Sequence, residues 1–84
     1  MSRHMVRQGD TRFEFGWDQP LMSFFLQVHD LTRAEDDQII FWEGATPETQ
    51  MYEVEHLVQV ASEHGLTIDL QMQTRLYGEK DDGI

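Results

Sequence analysis

Polar and apolar side chains alternate strictly from Arg12 to Trp17, which predicts a strand over about residues 11–16 with Phe13 and Phe15 facing inward. Trp17-Asp18-Gln19-Pro20 breaks it, because Asp and Pro favour a turn and Pro20 has no N–H for a sheet ladder. From Met22 to His29, Phe24, Leu26 and Val28 fall on one face and Phe25, Gln27 and His29 on the other. That is the pattern of a central strand with one dry and one mixed face. Asp30 to Gln38, with its run Glu35-Asp36-Asp37, reads as a hairpin loop or a short helical turn. Ile39 to Glu43 reads as a third strand, ended by Gly44.

The periodicity then changes. Thr46 suits an N-cap, Pro47 the first helical position and Gly65 the left-handed position past the end, so a helix is expected over 47–64. At 100° per residue, Met51, Val54, Leu57, Val58 and Ala61 share one arc of about 120°, with Tyr52 and Val60 outside it. Leu66, Ile68, Leu70, Met72 and Leu76 recur at every second position except Thr74, which predicts a long fourth strand over 66–77. Residues 1–10 are expected as a flexible basic leader, 11–78 as a single α+β domain and 79–84 as an acidic tail.

The expected fold is therefore α+β in the order β-β-β-α-β. Three strands form an antiparallel meander, and a fourth joins as an edge beside the first or the third. One amphipathic helix covers one face. The opposite face is left open and should carry Glu14, Phe25, Gln27, His29, Asp69, Gln71, Gln73 and Arg75.

Charge narrows the possible roles. Over 84 residues, six basic side chains face sixteen acidic ones, for a net charge of −10. Such a body is poorly suited to phosphate backbones and anionic membranes, since both are bound by Lys and Arg. The first twelve residues hold Arg3, Arg7 and Arg12 against Asp10 alone, so the remainder is more acidic still. With no cysteine there is no disulfide, thiolate metal site or Cys nucleophile. A cytoplasmic setting is expected from that and from the lack of a signal peptide.

No chemical motif stands out. There is no glycine-rich phosphate loop, and the one lysine is Lys80 in the tail. Ser23 and Ser62 lie outside any nucleophile elbow. On a helix, His56 and His64 would point about 80° apart and stand about 12 Å apart along the axis, so they cannot share one ion unaided. Catalytic, cofactor-binding and metal residues are accordingly expected to be none.

Aromatic and apolar residues among carboxylates can instead form a protein-binding patch. The candidate interaction surface comprises Tyr52, Glu53, His56, Val60 and Glu63 on the outer helix face, with Phe25 and His29 on the open sheet face. The leading expectation is a small, acidic, non-enzymatic interaction module, such as an inhibitor or antitoxin-like partner of a basic protein. A homodimer formed through the open sheet face or an edge strand is the second. A small metal protein or enzyme built on His29, His56 and carboxylates is the third.

Overall fold

The computed structural model describes residues 3–44 and 46–83. Its elements are β1 (His4–Gln8), β2 (Thr11–Asp18), β3 (Ser23–Asp30), β4 (Ile39–Glu43), α1 (Val54–Glu63) and α2 (Leu70–Asp82). The strands form one antiparallel sheet in the order β1-β2-β3-β4, and both helices pack on one of its faces. The α+β class and the three-strand meander agree with the sequence pattern. The fourth strand does not come from where the alternation placed it.

That strand is β1, within the stretch expected to be a flexible leader. Gln8 pairs with Thr11 across the two-residue turn Gly9-Asp10, and Gly9 takes φ +59°, a conformation it adopts without steric cost. Val6 packs against the core from this strand. Met1, Ser2 and Ile84, at the ends of the expected leader and tail, lie outside the described residues.

The segment expected to be the fourth strand is mostly helix. Leu66 and Ile68 are buried in an extended lead-in, so the alternation holds as far as Ile68. Asp69 then accepts a hydrogen bond from the Met72 backbone N–H at 2.8 Å and starts α2. Within Leu70–Asp82 only Thr74 is β-branched, and the Gln, Met, Arg and Leu side chains favour a helix. The expected acidic tail continues α2 to Asp82, with Gly83 as a left-handed cap.

The helix expected over 47–64 is shorter. Thr46 and Thr49 form a capping box around a 3-10 turn at Pro47–Thr49, and the chain is then extended at Gln50. The sheet accounts for the break. The Met51 N–H donates to Ser23 Oγ at 2.9 Å, and the Met51 carbonyl accepts from the Phe24 N–H at 2.7 Å. These bonds hold Met51 beside β3, and α1 begins three residues later. It ends as the sequence predicts, with Gly65 at φ +94° and the Leu66 N–H bonded to the Ala61 carbonyl.

Phe13, Phe15 and Trp17 from β2, with Phe24, Leu26 and Val28 from β3, meet Val54, Leu57 and Ala61 from α1 and Leu76 from α2. Val60, expected to face outward, belongs to this core. A second helix packs against α1, so the buried arc runs from Val60 through Leu57 and Ala61 to Val54, and Val58 moves to its margin. Gly44 turns the chain out of β4 at φ +93°. A Cβ there would lie 2.1 Å from the Phe24 carbonyl oxygen, so only glycine fits.

Candidate functional site

The two helices dry one face of the sheet and leave the other bare. By alternation and register the bare face carries Met5 and Arg7 from β1, Arg12 and Glu14 from β2, Phe25, Gln27 and His29 from β3, and Trp42 from β4. A register shift pairs Ile39, in place of Ile40, with His29, and both isoleucines remain exposed. Glu14, Phe25, Gln27 and His29 thus lie on the face expected for them. Asp69 instead caps α2, and Gln71, Gln73 and Arg75 belong to that helix.

An ion-pair cluster occupies the centre. Glu14, a buried residue, accepts from Arg3 Nη1 at 2.5 Å and lies 3.0 Å from Arg12 Nη2 and 3.1 Å from His29 Nε2. His29 Nε2 also lies 3.0 Å from Gln27 Oε1, and His29 Nδ1 lies 3.4 Å from Arg12 Nη2. A guanidinium can only donate, so Nδ1 must accept and the proton sits on Nε2. The imidazole is therefore placed to work as the neutral ring. Burial holds its pKa below the usual histidine value; Glu14 pulls it up, and Arg12 and Arg3 push it down. A carboxylate taken out of water costs several kcal/mol unless it is paired, and here three donors surround Glu14.

Beside the cluster lies a cleft of about 70 Å³ lined by Arg3, Asp18, Leu21, Phe25, Gln27, Trp42 and Gly44. The Arg3 guanidinium stands 5.4 Å from the Phe25 ring centroid and covers it, so Phe25 forms the floor of the cleft. That volume falls well short of the roughly 300 Å³ at which small-molecule pockets begin, and suits the tip of one side chain. Trp42 in the cleft wall is 53% exposed, and elsewhere on the sheet Met5 is 64% and Ile40, at the register shift, 50% exposed.

The outer helix stripe does not assemble as one surface. Tyr52 and Glu53 precede α1, with the Tyr52 hydroxyl donating to Gln50 Oε1 at 2.8 Å, and His56 and Glu63 are exposed on α1. Val60 is buried and separates from them. Phe25 and His29 are brought together on the sheet face, both largely covered by their neighbours. Among the described residues, no three His or acidic side chains converge as a metal seat requires, and no helix is long and apolar enough to cross a membrane.

Sequence reasoning missed Met5 and Arg3 because the leader was not paired with β2, and left out Arg12 although the alternation of β2 already set it beside Glu14 on this face. The Gly9-Asp10 dipeptide was the signal that could have paired the leader. Comparison with known proteins finds no matching family model, no matching curated protein and no matching solved structure.

Proposed function

We propose that this chain is a small, non-catalytic interaction module that engages a polypeptide partner through the uncovered face of its sheet. The observation that carries this reading is the exposure of Trp42, Ile40 and Met5 around a buried ion-pair cluster. Large apolar side chains grouped on a bare sheet face mark interaction surfaces more often than idle ones. Trp is also enriched among residues that dominate binding energy. The cluster contributes rigidity, since Glu14 and His29 hold the arginines in place around the cleft.

The partner that fits places one apolar side chain in the cleft beside Trp42. It sets basic groups against the Glu35–Asp37 turn that leads into β4, consistent with the net charge of −10. The test is retention of a partner from a lysate of the source cells on the wild-type chain and on Trp42→Ala and Ile40→Ser variants. Loss of Trp42 should weaken retention by about tenfold or more, the scale of a hot-spot residue. Equal retention by all three chains would sink the reading.

A further inference from the structure

Beyond the face, the sheet has two unpaired edges, and they carry opposite charge. The β1 edge includes Arg7 and is preceded by Arg3, with no acid inside His4–Gln8 and only Asp10 in the turn that follows. The β4 edge runs from the acidic turn Glu35–Asp37 to Glu43 and contains no base. Between these charges each edge exposes apolar side chains, Met5 on one and Ile39, Ile40 and Trp42 on the other. Proteins usually blunt such edges with Lys, Pro or an inward charge, and Ile39 to Trp42 has none of these.

We propose that the β1 edge of one copy pairs antiparallel with the β4 edge of a second copy. In an antiparallel sheet of four strands β1 and β4 run in opposite directions. A simple translation therefore sets the next copy's β1 antiparallel to β4, with the uncovered faces on the same side. Alternation restricts the register, because Met5 and Arg7 of β1 and Trp42 of β4 share that face.

With Met5 opposite Trp42, Val6 falls opposite Phe41 on the covered face, where both already pack against the core. Arg7 falls opposite Ile40 and leans toward the acidic turn, and His4, bonded to Glu79 in its own chain, falls opposite Glu43. Among the described residues Glu43 Oε2 is buried with no hydrogen-bond partner, and the pairing sets the Arg3–His4 start of β1 beside it. Twofold pairing would instead set Arg3 against the Arg7 end at a β1–β1 contact, and Glu43 against the acidic turn at a β4–β4 contact. Only the head-to-tail arrangement opposes unlike charges, and such contacts do not close on themselves, so copies add in a row.

Sedimentation velocity of the purified chain tests this, from about 10 to about 500 µM protein in about 20 mM and about 500 mM NaCl, conditions between which screening changes strongly. At low salt the average mass should climb past about twice that of one chain as concentration rises, and at high salt it should return to one chain. Ile40→Lys sets a cation opposite Arg7 and should abolish growth. Adding Arg7→Glu to the same chain should restore it, with circular dichroism confirming that each variant folds. A monomer at every concentration overturns the proposal, as does a dimer that stops at two copies or association strengthened by salt. So does failure of the double variant to regain growth.

Discussion

His29 shows how one side chain's protonation is tied to its surroundings. Its Nδ1 accepts from Arg12 while its Nε2 proton faces Glu14 and Gln27, so a second proton would point at a guanidinium. The folded pKa lies below the ordinary value near 6.5, so the unfolded chain takes up this proton first as pH falls. The stability that the neutral ring contributes is complete above about pH 6.5 and declines below it, levelling off once the pH passes the lower folded pKa. Urea midpoints between about pH 7.5 and 5 should therefore fall more steeply for the wild type than for His29→Gln. Parallel curves would show that the ring titrates as it does in the unfolded chain. The sequence placed His29 and Gln27 on one face through alternation alone. Arg12 shares that face by the same alternation, whereas Arg3 closes over them only because β1 lies beside β2.

Among the elements, α2 is where a local pattern and a competing one diverged. Positions 66–76 satisfy a period of two, yet Met72, Leu76 and Glu79 also satisfy the helical spacing of three or four. Alternation over a few residues cannot separate the two. The cap and the scarcity of β-branching settle it, and both are present in the sequence, at Asp69 and along 70–77, where Thr74 alone is β-branched. Asp69→Ala should therefore cost about 1 kcal/mol, the usual worth of an N-cap. For a domain of this size that lowers the melting temperature by about 4–8 °C, and Asp69→Asn should recover most of it. No change on Asp69→Ala would mean that packing alone defines the start of the helix. The α1 boundary was illegible for another reason. The bonds that hold Met51 beside β3 link residues 28 and 27 positions apart, and no local signal at Gln50 announces them.

At the scale of the whole molecule, β1 and α2 hold each other in place across nearly the full chain. His4 Nε2 lies 2.8 and 3.0 Å from the two Glu79 oxygens, and the imidazole also stacks at a tilt 5.6 Å from Phe15. Both side chains are largely shielded, so Glu79→Ala should destabilise the fold by about 1–3 kcal/mol, the range for leaving a buried polar partner unsatisfied. Denaturant unfolding at neutral pH measures it, and a change below about 0.5 kcal/mol would place the pair among contacts that contribute little. Three of the four sheet strands were legible in the sequence because their signals are local. The joining of the two chain ends was not, because it couples residues 75 positions apart.

The two indoles occupy opposite surroundings, Trp17 at 2% exposure in T-shaped contact with Phe24 and Trp42 at 53% on the bare face. Excited at a wavelength that the tyrosines do not absorb, the protein thus carries two indole fluorophores with separate duties. Iodide reaches Trp42 and not Trp17, so the quenchable part of the emission reports on occupancy of the face. The protected part reports on integrity of the core, and one cuvette distinguishes a variant that has lost its partner from one that has lost its fold.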